Sequence, residues 1–411
     1  MKRFAVLSHI LPPSSSGQAM VLYRMLKDLD PDSYCLISQR NYSSEIYGSY
    51  TGKLPGRYCK ILTELRFRDS VVFSRGLLSP IGVAIRLINV LIALMWIPFR
   101  GIQIARILHK ENCEAIVTCT ADLINMPAGY IASRIIGISY LPYIFDYYSY
   151  QWTEPFSRFL ANLFEPFLLK GAARIIVPNE SLRDELADRY GVESAVIHNP
   201  YDGPKVEADL PWPSSEGEIR IVYTGAIYYV HYDAFRNLVA AIERLGRDNV
   251  CLHIYTGDSH RLLQSEGILG HVVYHDHLEL SESLDVQKNA DILFLPLAFA
   301  SSNPVIVKTS SPGKMGEYLA SGRPVLVHAP SDSFISRYFI EHECGFVVEK
   351  ENADDLADAI REIIDDKDKR SRKVANARQC AREDFNLALI RIKFLELLGT
   401  ENSQESPARM E

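Results

Sequence analysis

The stretch that decides the fold is "SSPGKMGEYLASGRPVLVHA", residues 310–329. Proline and glycine at 312–313 precede a short helical pattern, Gly322 is placed to end the helix, and an apolar β-branched run follows. A turn, a helix and a buried strand therefore succeed one another within one short segment. This order is typical of the repeating unit of a parallel α/β sheet.

The same alternation extends outward along most of the chain. Short apolar runs predict strands in the first half near 4–10, 34–38, 115–119, 140–145, 174–178 and 195–199. In the second half they predict strands near 219–225, 251–257, 271–275, 291–297, 324–329 and 345–349, before helices near 353–365, 368–383 and 386–399. We expect an α/β protein with two Rossmann-like, doubly wound domains that face one another across a cleft.

The domain boundary is predicted from a segment without helical or strand periodicity. "NPYDGPKVEADLPWPSSEGE" (199–218) holds four prolines and two glycines, which is typical of an interdomain linker. A chain of 411 residues is also long enough for two cores. We therefore expect one domain at 1–200 and a second at 201–384, with a C-terminal helix at 385–399 joining the first and a disordered tail at 400–411.

Charge is distributed unevenly along the chain. The net charge of -7 combines +4 for residues 1–200 with -11 for residues 201–411, and residues 40–110 alone carry +8. Because this basic excess lies in one apolar-rich segment of an acidic chain, a nucleic-acid partner is not expected. Neither predicted first strand is followed by GxGxxG, which disfavours a dinucleotide-dependent dehydrogenase.

Lys314 and Glu317 form the most informative pair in the sequence. A spacing of three places them on one side of a helix, and Pro312 and Gly313 before it leave backbone N–H groups for an anion. A carboxylate at Glu317 can accept two hydroxyl groups, as from a ribose. The pair therefore predicts a nucleoside-diphosphate site, whereas the alternative is a solvated ion pair on a surface helix.

The second half of the chain carries a family resemblance. "IRIVYTG", "ADILFLPL", "SSPGKMGEYLASGRPVLV" and "GFVVEKENADDLADAIREII" resemble the donor domain of nucleotide-sugar glycosyltransferases of GT-B fold, especially bacterial retaining enzymes related to glycogen synthase. The resemblance implies that Glu317 holds the donor ribose and that Lys314 meets the pyrophosphate and its developing charge during catalysis. Thr309 stands where the family usually has another glutamate, and "YTGAIYYVHYDAF" lacks the Arg and Lys common there, which leaves donor sugar and stereochemistry open.

Three further donor-site residues are predicted with the help of this resemblance. Gly225 ends the first strand of the second domain and would permit close approach of a phosphate or sugar, or is a plain turn glycine. Gly17, in "PPSSSGQAM", would lie in a loop that closes over the phosphates, unless the segment is only a helix cap made by Ser15 or Ser16. His277 would adjoin the nucleobase, or is an incidental loop histidine.

Asp146 is the predicted catalytic residue of the first domain. It follows the strand in "YLPYIFDYYSYQW" and would take the acceptor proton or orient the acceptor. A helix N-cap or a tyrosine-bonded aspartate is the alternative. No metal and no cofactor beyond the nucleotide-sugar substrate are expected, since "DLDPD" (28–32) is explained by turn chemistry.

The most apolar segment, residues 77–108, is predicted to contact a membrane without spanning it. Its longest uninterrupted apolar run, 90–99, is too short to cross a bilayer. We expect its membrane or acceptor face to include Arg86, Trp96, Phe99 and Arg100, and the acceptor to be lipid-linked. The alternative is an ordinary amphipathic helix whose apolar side packs on the first sheet.

Together these features predict a glycosyltransferase that uses a nucleotide-diphosphate sugar and a saccharide or lipid-linked acceptor in bacterial envelope or exopolysaccharide assembly. Seven scattered cysteines and an N-terminus without a cleavable signal indicate the cytoplasm, with peripheral attachment to the inner face of the membrane. The alternatives are a nonhydrolysing nucleotide-sugar epimerase and an inactive membrane-associated binding protein of the same fold.

Overall fold

The computed structural model describes residues 2–14, 16–42, 52–63, 80–152, 154–203, 212, 217–301 and 303–399, without the side chains of 80–84, 86 and 87. The chain divides into two compact units. Unit 1 comprises Met1–Ile197 and Arg391–Glu411, and unit 2 comprises His198–Ile390. This division falls at 197/198, whereas the sequence suggested 200/201. The tail at 400–411 and most of the linker lie outside the described residues.

Unit 1 is built on a parallel sheet in which the described strands have the order β3-β2-β1-β4-β5-β6-β7. The strands are β1 (Phe4–Leu7), β2 (Tyr34–Ser38), β3 (Arg57–Lys60), β4 (Ala115–Cys119), β5 (Ser139–Tyr143), β6 (Ile176–Val177) and β7 (Ala195–Val196). Strands β1, β2 and β4 are buried throughout, which explains their continuous apolar sequences. The edge strand β3 was not predicted because its short sequence, RYCK, begins and ends with a charged residue.

The described helices of unit 1 are α1 (Gly17–Leu26), α2 (Pro80–Lys110), α3 (Asn125–Ile136), α4 (Pro155–Lys170) and α5 (Glu180–Tyr190). The Ser16 side chain caps α1 by accepting the N–H of Ala19, and Glu154 caps α4 by accepting those of Phe156 and Ser157. Helices α2 and α3 pack with β1, β2 and β4 in one hydrophobic core, against which Phe164 of α4 also packs. These three helices therefore cover one face of the sheet.

Arg100, predicted on the membrane face, is instead fully buried inside unit 1. Its Nη1 donates to Asn125 Oδ1 at 3.1 Å and lies 3.8 Å from Asp122 Oδ1, while Nη2 donates to the Leu62 carbonyl at 3.1 Å. The prediction is wrong for this residue because a charge inside an apolar segment was taken as a surface marker. Asp122 and Asn125 supply the polar partners that make its burial tolerable.

Two other predicted membrane-face residues, Trp96 and Phe99, lie on or near the outer side of α2. Phe99 is 48% exposed, and Trp96 is half-buried with its ring centroid 5.0 Å from that of Phe99. The side chain of Arg86 lies outside the described residues. The helix continues through Pro98, and within the described residues it contains one stretch, Ile88–Lys110, long and apolar enough to cross a membrane by length and composition. Since its other side packs in the core of unit 1, the amphipathic packing given as the alternative is present, and membrane contact stays a prediction.

Unit 2 is built on a second parallel sheet, with the described strands in the order β10-β9-β8-β11-β12-β13. They are β8 (Ile219–Thr224), β9 (Val250–Tyr255), β10 (Val272–His275), β11 (Ile292–Pro296), β12 (Val325–His328) and β13 (Phe346–Val348). The chain changes direction across the sheet between β8 and β11, so loops at their carboxyl ends diverge and leave space for a ligand. The predicted α/β class with two doubly wound parallel sheets is confirmed.

The described helices that follow are α6 (Tyr232–Leu245), α7 (His260–Ser265), α8 (Leu280–Lys288), α9 (Pro304–Thr309), α10 (Met315–Ala320), α11 (Phe334–Glu341), α12 (Ala353–Asp365), α13 (Lys367–Glu383) and α14 (Leu387–Leu397). Helix α14 begins in unit 2 and ends in unit 1. There, Arg391 Nη2 donates to Asp28 Oδ2 at 2.9 Å, and the ring of Phe394 packs edge-on against Phe4. From Arg391 onward the helix thus belongs to the first sheet's layer.

Replacing Arg100 by methionine should destabilise unit 1 strongly. The variant keeps most of the apolar stem but leaves Asp122 buried without its cation, at an expected loss of about 3 kcal/mol. Denaturant unfolding followed by the fluorescence of Trp96 and Trp152 measures this loss. The control is Arg106→Met on the exposed side of the same helix, which should change stability by less than about 0.5 kcal/mol. Equal stability of the two variants would contradict a structural role for Arg100.

Candidate functional site

The strand β8 ends at a glycine that lies against a lysine. Gly225 has φ +116°, a conformation that favours glycine, and its N–H donates to the Tyr255 carbonyl at 2.9 Å. A Cβ at this position would lie 3.0 Å from Nζ of Lys314. The backbone conformation therefore favours glycine, and the short distance places Gly225 beside Lys314 at one edge of the sheet.

Lys314 is half-buried, and its ammonium group stands over an aromatic face. Its Nζ lies 3.6 Å from the ring centroid of the buried Tyr223, within the range of a cation–π interaction. Removal from water lowers the pKa of Lys314 to about 7, and the nearby Glu317 carboxylate opposes that shift. The group can therefore gain a proton near neutral pH when an anion approaches.

The helix that carries this lysine is short, as predicted. Helix α10 has six residues, and Lys314 occupies its N-cap position. Its position relative to β8 is fixed because the Thr224 N–H donates to the Tyr318 hydroxyl at 3.1 Å. With so few aligned peptide groups the helix dipole adds little, so the lysine charge is the main attraction for an anion.

Glu317 is buried, so the alternative of a solvated surface ion pair is wrong. Its Oε2 accepts from Gln287 Nε2 at 3.0 Å, and the same nitrogen lies 3.0 Å from Thr224 Oγ1. Gln287 is itself almost completely buried and belongs to α8. The amide therefore holds the Glu317 carboxylate in one orientation beside the end of β8.

The loop after Gly225 is held in place without a cation. The N–H of Ile227 donates to Asp258 Oδ2 at 2.6 Å, and the Tyr223 hydroxyl donates to the Ala226 carbonyl at 2.6 Å. His231 is buried, and its Nδ1 accepts from the Tyr228 N–H. Burial, together with the Lys314 charge, lowers the pKa of His231 to about 3, so this ring is neutral at physiological pH.

The structure also places the remaining residues of unit 2 that the sequence singled out. His277 is exposed and lies two residues beyond β10. A Cβ added to Gly257 would lie 3.7 Å from the Cβ of His277. Gly313 is half-buried directly before Lys314. Thr309, at the position of the family's other glutamate, is buried in α9 and its hydroxyl donates to the Val305 carbonyl at 2.8 Å.

In unit 1, Asp146 and Gly17 both follow carboxyl ends of strands. Asp146 lies three residues beyond β5, is exposed, and donates its backbone N–H to Thr120 Oγ1 at 3.3 Å. The helix-cap alternative is wrong because Glu154 caps the next helix. Gly17 is exposed at the first position of α1, so the predicted Ser16 cap is present and Gly17 meets no steric requirement.

Sequence analysis missed a polar cluster beside the ends of β1, β2 and β4. His9 Nδ1 lies 3.7 Å from Asp122 Oδ2, and Arg40 Nη2 lies 3.3 Å from His9 Nε2. Asp122 also accepts the backbone N–H groups that begin α3. These residues are far apart in the sequence, so only the strand order brings them together.

One group of potential metal ligands is found among the described residues, comprising Glu218, Cys251 and His253. It lies at the amino ends of β8 and β9, whereas Gly225 and Lys314 lie at the carboxyl end. His253 Nδ1 and His275 Nε2 are 3.0 Å apart, and burial lowers the pKa of His253. The group therefore has no bearing on the site at Lys314, where the absence of a metal stays a prediction.

Comparisons with known proteins agree with this arrangement. Residues 218–366 match the family described as Glycosyl transferases group 1. The chain is similar in structure to a glycosyltransferase from Rickettsia africae ESF-5, with 15% identity, a TM-score of 0.65, and coverage of 98% of this chain and 100% of that chain. A comparison with curated protein sequences gave no match.

Two further solved structures are informative. Anabaena Alr3699/HepE in complex with UDP and glucose has 14% identity and a TM-score of 0.65, over 98% of this chain and 100% of that chain. The lipopolysaccharide outer core galactosyltransferase WaaB, in its apo form, has 12% identity and a TM-score of 0.64, over 97% and 99%. The fold and the family match together define an enzyme of the GT-B glycosyltransferase class. The matched residues 218–366 lie within unit 2.

Replacing Lys314 by methionine should stabilise the ligand-free protein at pH 6. The folded-state pKa of about 7 lies below the usual lysine value of about 10.4, so the folding penalty is complete below pH 7 and shrinks as the pH rises above it. We expect a melting temperature about 2–4 °C higher at pH 6 and a smaller gain at pH 9. Differential scanning calorimetry checks this, with Lys288→Met at an exposed position as the control. A lower melting temperature at pH 6 would contradict the claim that removal from water makes the charged Lys314 side chain costly to fold.

Proposed function

We propose that this enzyme transfers a sugar from a nucleoside-diphosphate sugar to a saccharide acceptor. The observation that carries the proposal is the placement of Lys314 over Tyr223 and beside Gly225, with Glu317 held by Gln287. A half-buried ammonium and an oriented carboxylate match the two polar ends of a ribose diphosphate.

Each residue of this cluster has a distinct role in the proposal. Lys314 binds the diphosphate and stabilises the negative charge that grows on it as the bond to the sugar breaks. Glu317 accepts ribose hydroxyl groups, and Gly225 allows a phosphate or the sugar to approach the backbone. Gly313, also in this segment, contributes backbone N–H, and His277 adjoins the nucleobase.

Asp146 and Gly17 are proposed to act from unit 1. An exposed carboxylate just beyond the end of β5 suits a group that accepts or shares the proton of an attacking hydroxyl. In a front-face reaction Asp146 orients the acceptor, and the departing phosphate takes the proton. Gly17, the first residue of α1, is proposed to approach the donor phosphates.

The acceptor is proposed to be lipid-linked, in bacterial envelope or exopolysaccharide assembly. Support comes from the structural similarity to WaaB, a lipopolysaccharide outer core galactosyltransferase, and from the exposed apolar side chains of α2. We accordingly propose a cytoplasmic enzyme attached to the inner face of the membrane, without a metal cofactor. HepE, which was solved with UDP and glucose, makes UDP-sugars the first donors to test.

The test is sugar transfer from radiolabelled UDP-glucose, UDP-galactose and UDP-N-acetylglucosamine to a lipid extract from the source cells. Wild-type protein should move label into the lipid fraction and release UDP. Lys314→Ala should lower the rate by about a hundredfold or more, because the leaving diphosphate loses its cation. Glu317→Gln, which keeps the shape and the contact with Gln287, should weaken UDP binding about tenfold.

The outcomes separate the alternatives. Conversion of a donor sugar to its epimer without any acceptor would favour the epimerase. Nucleotide binding without turnover on any acceptor would favour the inactive binding protein. Failure of UDP, GDP, dTDP and CDP alike to raise the melting temperature of the wild type would refute the donor site itself.

A further inference from the structure

Helix α4 presents an apolar stripe to solvent. Phe159, Leu163 and Phe167 follow one another at intervals of four residues and are 65%, 49% and 69% exposed. That interval places them on one side of the helix, while Leu160 and Leu168 are buried on the other. Exposing two phenylalanines and a leucine in one row to water is unfavourable in free energy. The row therefore indicates a surface that a lipid bilayer or another molecule covers.

Helix α2 carries a second stripe of the same kind. Among its described side chains, the exposed large apolar ones are Ile88, Leu91, Leu94, Met95, Phe99 and Ile102, with Met95 exposed to 73%. The opposite side of the helix contributes Ala93, Ile97 and Ile104 to the core of unit 1. The exposed residues are therefore surplus to what folding requires.

The two stripes belong to one layer of helices. Helices α2, α3 and α4 contact one another in pairs, and α2 lies so close to α3 that a Cβ on Gly101 would approach Ile131 Cγ2 to 2.8 Å. Trp96 of α2 and Phe164 of α4 pack against the same hydrophobic core on one face of the sheet. The outer sides of the helices therefore point the same way, away from the sheet.

The charges on this layer have a single sign. The three helices contain one acidic residue, Glu165, and it is buried, where it accepts from the Tyr190 hydroxyl and the Ser149 N–H. The exposed Arg and Lys side chains described on the three helices are Arg106, Lys110, Arg134 and Lys170. An apolar surface on which the exposed charges of the three helices are all positive is complementary to an anionic lipid bilayer.

From these observations we propose that unit 1 docks on an anionic bilayer through the outer sides of α2, α3 and α4, with the Phe159–Leu163–Phe167 stripe inserted among the lipids. The evidence for this surface does not involve the donor site. Only the purpose of docking, which is access to a lipid-linked acceptor, rests on the proposed function. The inserted residues include Phe99, whereas Arg100 points into the core and takes no part.

The charge also disfavours two other occupants. A second copy would bring two positive faces together across a twofold axis, which is repulsive. Residues 64–79, which lie outside the described residues, carry three arginines against two acidic side chains, so that segment matches the charge of this face poorly. A bilayer rich in anionic headgroups matches both the charge and the apolar area.

The experiment is flotation of the full chain with vesicles of phosphatidylcholine alone or of equal parts phosphatidylcholine and phosphatidylglycerol. Wild-type protein should float with the anionic vesicles and bind them less in high salt. Phe159→Ser combined with Phe167→Ser should weaken partitioning about tenfold or more, and Lys170→Glu about tenfold. Leu262→Ser with Leu269→Ser, which removes two exposed apolar side chains from unit 2, is the matched control and should bind as the wild type does.

Each other outcome overturns the proposal. These are no flotation of the wild type, equal flotation with both vesicle types, or a phenylalanine variant that floats like the wild type. A dimer in light scattering that the phenylalanine variant dissociates, without vesicle binding, would assign the face to a second copy. The UDP-induced rise in melting temperature is measured on every variant, so loss of membrane docking is distinguished from failure of the donor site.

Discussion

The site depends on one half-buried lysine ammonium group that lies against an aromatic ring. Lys314 stands over Tyr223, and the tyrosine is fixed because its hydroxyl donates to the Ala226 carbonyl. The neutral His231 nearby adds no positive charge, and the loop that follows Gly225 has no Lys or Arg. Removing the charged Lys314 side chain from water lowers the free energy of unfolding. An anion that binds to the lysine restores this stability.

The surrounding contacts make sense as supports for this arrangement. The Thr224 N–H donates a hydrogen bond to the Tyr318 hydroxyl, and the Thr224 hydroxyl accepts one from Gln287 Nε2. The end of β8 is therefore connected both to α10 and to α8. Gln287 in turn fixes Glu317. Three elements that are distant in the sequence thus meet at the carboxyl edge of the sheet, where the order of parallel strands leaves room for a ligand.

The sequence was sufficient for the part of this picture that is local. The spacing of Lys314 and Glu317, and the glycine at 225, follow from a turn, a short helix and a strand end, and each was predicted. Tyr223 and Gln287 were not, because nothing in their own segments marks them. Their importance comes from β8 lying beside β11 and from the packing of α8, which are tertiary facts. The missed strand β3 has a similar cause, since pairing at a sheet edge demands little apolar sequence.

Arg100 illustrates the opposite error, in which a local sequence pattern led to the prediction that a buried residue lies on the surface. In an apolar segment an arginine resembles an interfacial residue, but the cluster of Asp122 and Asn125 on the neighbouring helix segment turns it inward. The real outer side of this layer is marked by residues that do not stand out in sequence. Phe159, Leu163 and Phe167 would be ordinary core positions in most helices, and only their exposure distinguishes them.

The most direct test of the account is the number of protons taken up when UDP binds at pH 8, obtained by titration calorimetry in buffers of different ionisation enthalpy. With a free pKa of about 7, Lys314 is mostly neutral at that pH, and the diphosphate should charge it. The account predicts uptake of close to one proton by the wild type and none by Lys314→Met. Binding of UDP to the wild type without proton uptake would contradict the claim that a desolvated lysine forms the core of the donor site.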